Sequence, residues 1–192
     1  MRAILWAVTG TGFTFLMTAL GASLVFFFRK RIGDTVNRIF LGFAAGVMIA
    51  ASVWSLLIPA IEEAEAAGQT GWIPAAGGLV LGILFIMMLD VLLPHLHINA
   101  ERPEGLRSAW KRRTLLMLAV TLHNIPEGMA VGLSFALAAQ HSDSSSLSAA
   151  LALALGIGIQ NFPEGAAISL PLRQEGLSPG RSFLYGAASG VV

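Results

Sequence analysis

The strongest constraint on how this chain can fold is a series of apolar runs, each long enough to cross a bilayer. A hydrocarbon core of roughly 30 Å needs about 20 apolar residues in helix. Such runs occupy approximately 3–28, 39–61, 73–93, 114–139 and 147–172, and a sixth begins at 182. Hydrophobic residues make up 55% of the 192 and charged residues only 12%, against roughly a quarter charged in an ordinary soluble domain. Backbone in lipid must satisfy its own polar groups, which leaves helices or closed barrels, and the alternation of a membrane barrel strand is missing. The reading is an all-α polytopic transmembrane helical bundle, a single domain over 1–192. The first run exceeds the apolar core of about 7–15 residues found in signal peptides. Arg29-Lys30-Arg31 follows it directly, so it is expected to be a retained helix.

Charge sets the orientation. Lys and Arg concentrate in cytoplasmic loops. Here the first connection carries Arg29, Lys30, Arg31 and Arg38, the third Arg102, Arg107, Lys111, Arg112 and Arg113, and the fifth Arg173 and Arg181. The second connection instead holds Glu62, Glu63 and Glu65, and the fourth is Gln140-His141-Ser142-Asp143-Ser144. The N-terminus is therefore expected outside a cell (inner or plasma) membrane. A net charge of +1 lacks the clustered basic face that nucleic acid requires. With no cysteine, thiolate metal sites are excluded, and any metal must be held by N, O or methionine sulfur. Glycine pairs four apart, Gly42/Gly46, Gly78/Gly82 and Gly128/Gly132, permit close helix approach.

Within the five full runs, carboxylates occur only at Asp90, Glu127 and Glu164. A charge at mid-bilayer costs about 2.5–3.5 kcal/mol even on the lenient insertion scale, and a bound cation is one natural compensation. Glu127 and Glu164 close matching words, His123-Asn124-Ile125-Pro126-Glu127-Gly128 and Gln160-Asn161-Phe162-Pro163-Glu164-Gly165, offset by 37 residues. His123 and Glu127 share a helix face at i,i+4, as do Gln160 and Glu164, while Asn124 and Asn161 lie within i,i+3 reach of the same glutamates. Pro126 and Pro163 cannot donate to the carbonyls of Leu122 and Ile159, and paired proline-interrupted segments point to a transport site. One imidazole, two carboxylates and three amides suit zinc, iron, manganese, cobalt, nickel or cadmium better than calcium or magnesium.

With these two words on adjacent helices, the chain resembles the ZIP (Zrt/Irt-like) family of divalent metal transporters, in its GufA-type prokaryotic branch, over essentially its whole length. The resemblance implies an eight-helix fold of which about the first six helices are present. The chain is then expected to be C-terminally truncated, stopping before a further glutamate that bridges metals in relatives. It implies ligand roles for His123, Asn124, Glu127, Gln160 and Glu164, with Asn161 a weaker ligand because some relatives have aspartate there. It also assigns Met48 to the site, Ser55 and Glu62 to the outer approach route, and Asp90, His95 and His97 to the exit route.

The function expected is transport of a divalent transition metal, zinc first, into the cytoplasm by alternating access, with no prosthetic group. The metal is substrate rather than cofactor. The other partner is the bilayer, and homodimerisation is left open. Two alternatives stand beside it, an intramembrane metal-dependent enzyme and a structural subunit holding a metal. The enzyme lacks support in the spacing, since neither H-E-x-x-H nor paired E-x-x-H words occur.

Overall fold

The computed structural model describes residues 2–28, 33–94, 112–141 and 144–191. Helix α1 (Arg2–Ser23) tightens into a 3-10 turn at Leu24–Phe26. Helix α2 (Asp34–Ala50), a π-helical stretch (Ala51–Leu57) and α3 (Ile58–Ala66) follow without interruption. Then come α4 (Trp72–Leu92), α5 (Arg112–His141), α6 (Ser144–Gln174) and α7 (Pro179–Ala188), with no strand among the described residues. Among the described residues, four helical segments are long and apolar enough to cross a membrane: Arg2–Phe26, Arg38–Ala66, Trp72–Leu92 and Ser145–Gln174. Helix α5 matches them in length while carrying His123, Asn124 and Glu127 in its middle. The all-α membrane bundle expected from the apolar runs is the fold observed.

Turn chemistry separates the helices. After α3, Gly68 at φ 75° takes the left-handed position, Gln69 N–H reaches the Ala64 carbonyl and Gly68 N–H that of Glu65, both at 2.9 Å. Gly176 at φ 90° does the same after α6, where Leu177 N–H meets the Leu172 carbonyl at 3.2 Å. These are Schellman closures, which a residue with a Cβ makes only under strain. Ser178 then caps α7, its hydroxyl accepting from Arg181 N–H at 3.4 Å, with Pro179 at the first helical position.

The interior is inverted relative to a soluble protein. Thr14, Thr18, Asn124, Gln160, Asn161, Ser169, Ser182 and Ser189 are buried, while Leu5, Phe27, Trp54, Leu81 and Met129 are among many large apolar residues left exposed. An apolar outer surface of this extent suits lipid. Helices α1, α5, α6 and α7 form the tight part of the bundle. A methyl group on Gly21 would run into the Phe162 carbonyl, and one on Gly165 into the Thr18 carbonyl. Backbones of α1 and α6 therefore touch beside Pro163. Gly186 and Gly190 bring α7 against Ala22 and Thr18 in the same way.

The rest of the bundle is looser. In α4 only Ala75 is buried, and a Cβ added at Gly42, Gly46, Gly78, Gly82 or Gly132 would meet nothing within 4 Å. Close approach is seen instead at Gly21, Gly165, Gly186 and Gly190, because the neighbouring helix, not the spacing, decides where a Cβ is excluded.

Gly21→Ala should therefore lower the thermal midpoint of the detergent-purified protein, overpacking costing about 1–3 kcal/mol. Gly42→Ala should leave it unchanged or raise it slightly, since alanine is the better helix former by about 1 kcal/mol.

Candidate functional site

The two proline-containing helices meet where α5 and α6 cross, and their polar words interlock there. Gln160, one turn before Glu164 on α6, donates its amide N–H to Glu127 Oε1. With its amide turned so that nitrogen faces the acceptors, Asn161 donates to Glu127 Oε2 at 3.1 Å and to the Ile157 carbonyl at 3.0 Å. Each oxygen of the carboxylate is thus fed by a separate amide of α6. His123 Nε2 stands 3.8 Å from the same Glu127 Oε1, on the i,i+4 face expected for a helix.

These groups form one wall of a cavity of about 410 Å³. Helix α5 supplies His123, Pro126 and Glu127, and α6 supplies Leu153, Ile157 and Gln160. The opposite side comes from the looser helices: Met48 and Ser52 on the α2 rod, Ile86, Leu89 and Asp90 on α4. Leu122, whose carbonyl loses its helical donor at Pro126, also lines the space. One end lies at Leu56 and Ala130, the other at Asp90 and Ala119. Beyond Ala130, Val131, Phe135, Leu153 and Ile157 close into an apolar cluster with Trp6 and Ala51.

Not every residue named from the sequence faces this cavity. Asn124 is buried and turns the other way, its Nδ2 donating to the Ser189 carbonyl at 2.9 Å, which ties α5 to the end of α7. Glu164 is not on the cavity wall, and its Oε2 is buried without a partner, as are Asn124 Oδ1 and Gln160 Oε1. Ser55 is half-buried and Glu62 exposed, and neither lines the cavity. His95 and His97 lie outside the described residues. Ser52, which no sequence word singled out, does line it; the signal available was its position one helical turn after Met48.

Among the described residues, no three of His, Cys, Asp and Glu converge as a ready-made ligand cluster. A cation here would have to draw on amide oxygen, methionine sulfur or water as well as His123 and Glu127. Unpartnered buried oxygens are costly, about 1–3 kcal/mol each, and three such atoms around one pair of words make a site short of positive charge.

The fold and this arrangement define a polytopic helical membrane protein with an anionic, amide-lined site between its helices. No protein-family model matches the chain. It is 37% identical to the zinc transporter ZIP11 of Homo sapiens, over 99% of this chain and 78% of that protein. It is 40% identical to the zinc transporter ZIPB of Bordetella bronchiseptica, over 97% of this chain and 59% of that protein. With the zinc transporter GufA of Myxococcus xanthus the identity is 36%, over 99% and 70%. The chain belongs to the ZIP family, and its likeness to GufA agrees with the branch inferred from its two words.

The amide clasp on Glu127 carries a stability consequence. Asn161→Leu strips one donor from a carboxylate in low dielectric, a loss of about 1.5–3 kcal/mol for a hydrogen bond to a charged group. Its thermal midpoint without metal should fall clearly below that of the parent protein, measured in the same detergent.

Proposed function

We propose that this protein carries a divalent transition-metal cation, zinc foremost, across its membrane through the cavity bounded by His123, Glu127 and Gln160. The observation that carries the reading is the Glu127 carboxylate itself. At membrane depth it lines an open cavity, beside an imidazole, with a second carboxylate one helix away. The likeness to proteins named zinc transporters supports the same conclusion and disfavours an enzyme.

In this reading the neutral amides of Gln160 and Asn161 hold Glu127 as long as no cation is present. An incoming ion replaces their partial positive charge by a full one. Gln160 then rotates its amide so that oxygen rather than nitrogen faces the site, and His123 supplies a borderline nitrogen that favours transition metals over calcium and magnesium. Met48 contributes sulfur from the facing rod. Glu164, Asn124 and Asn161 complete the binding region away from the cavity wall. Ser55 and Glu62 mark the outer approach, and Asp90, His95 and His97 the way out. The positive-inside pattern puts the N-terminus outside the cell membrane and the Asp90 end of the cavity toward the cytoplasm. In this reading the Phe135 cluster closes the outer side and the site faces inward.

Alternating access follows from how the helices pack. The block α1/α5/α6/α7 includes backbone contact between α1 and α6, whereas α4 lines the cavity with only Ala75 buried along its length. Sliding between the two would expose the site to the other side. Interfaces between packed bodies have discrete arrangements rather than a continuum.

Uptake into liposomes across a panel of zinc, iron, manganese, cobalt, nickel and cadmium tests the proposal. Zinc should be taken up, and Glu127→Ala and Glu164→Ala should each bring uptake to background while membrane insertion is unchanged. Parent-like uptake by both variants would sink the site assignment. Asn161→Asp should show the opposite balance to Asn161→Leu. It places a second carboxylate beside Glu127, lowering the metal-free thermal midpoint and enlarging the rise that zinc produces.

A further inference from the structure

The cavity is far larger than a bare cation needs. A water occupies about 30 Å³ of liquid volume, so a space of about 410 Å³ holds on the order of ten waters. A divalent ion gripped only by protein atoms would fill a small fraction of it. On a largely apolar lining, two polar groups present acceptors. Ser52 commits its hydroxyl proton to the Met48 carbonyl at 2.8 Å, which leaves its oxygen with acceptor lone pairs alone. The Glu127 carboxylate accepts only.

Acceptor oxygens of Ser52 and Glu127 on one cavity lining suit a surface made of donors, and a hydrated cation is such a surface, because the waters bound to it direct their protons outward. We infer that Ser52 is a positioning residue for the transported ion: its hydroxyl oxygen accepts a hydrogen bond from a metal-bound water, and the ion sits in the cavity as a partly hydrated species. Ser52 does not ligate the metal. The inference rests on the cation-transport reading and deepens it, specifying an ion that retains part of its water shell instead of a stripped ion or an anionic metal complex.

The test uses the full chain in nanodiscs, with zinc as the probe. Equilibrium zinc binding is measured for the parent, Ser52→Ala, Ser52→Thr and Glu127→Ala, and zinc-edge X-ray absorption counts the oxygen and nitrogen scatterers around the ion. Ser52→Ala should weaken zinc binding by roughly tenfold, the scale of one hydrogen bond from a charged donor. Ser52→Thr, which keeps the hydroxyl, should restore it. The scatterer count should be the same in parent and Ser52→Ala and should include oxygens beyond those the protein can supply. Unchanged affinity in Ser52→Ala overturns the inference, as does loss of one scatterer, which would make Ser52 a direct ligand. Both outcomes leave the transport reading intact as long as Glu127→Ala abolishes binding. If Glu127→Ala binds zinc like the parent, the transport site itself is misplaced and the inference falls with it. A thermal midpoint for metal-free Ser52→Ala equal to the parent's separates lost contact from lost fold.

Discussion

Everything at the centre of this molecule follows from one carboxylate kept at membrane depth. Glu127 cannot stand there alone, because isolated charge in hydrocarbon is expensive, and no lysine or arginine lies within the matching words to neutralise it. The chain answers with amides. Gln160 and Asn161, adjacent on α6, each donate to one of the two carboxylate oxygens, so a single turn of one helix clasps a single side chain of another. That clasp fixes how α5 and α6 cross. It explains why the two words need the same spacing, since the donors and the acceptor must arrive at one level.

The clasp also accounts for the unequal packing of the bundle. To hold Glu127 from two adjacent positions, α6 must not rotate or slide, and its register is set from behind by α1. Gly21 and Gly165 allow backbone contact beside Pro163, and interfaces of small residues are the usual means of tight association where no hydrophobic driving force separates helix from lipid. Helix α4 carries no comparable contact, Ala75 being its one buried residue, while α2 packs on α6 with Val47 beside Gly156. One body holds the charge rigidly, and the other faces it across water-sized space.

How much of this was legible in the sequence depends on the range of the interaction involved. The apolar runs announced an all-helical membrane bundle, because backbone satisfaction in lipid is a local requirement that each segment meets alone. The repeated words exposed Glu127, Gln160 and His123, since a polar residue in such a run needs a reason. Direction was harder to read. Asn124 and Glu127 lie three apart, close enough to share a face, yet Asn124 serves the Ser189 carbonyl. Ser52, on the cavity lining, was not singled out by any word in the sequence. In the stretch Ala51–Leu57 the helix is π-wound, with Ile58 N–H reaching back to Val53. Pro59 follows with no N–H to give. A 3.6-residue wheel misplaces side chains through such a turn, and π-bulges gather at functional sites for that reason.

A carrier must release what it binds, and the same amides that stabilise the empty site make release possible. A cage of thiolates or several carboxylates would hold zinc too firmly to let go. In the proposed site the clasp would compete directly with the cation for Glu127: on release, Gln160 and Asn161 would be within reach to reoccupy both oxygens. The free energy of dissociation is therefore offset by hydrogen bonds reformed within the same side-chain set. Residual water on the ion works in the same sense. Each ligand that remains water instead of protein is one bond the protein does not have to break, and in the proposed arrangement Ser52 would help to order those waters. Binding in such a site is a trade among nearly equivalent partners, which is the condition for moving an ion without trapping it.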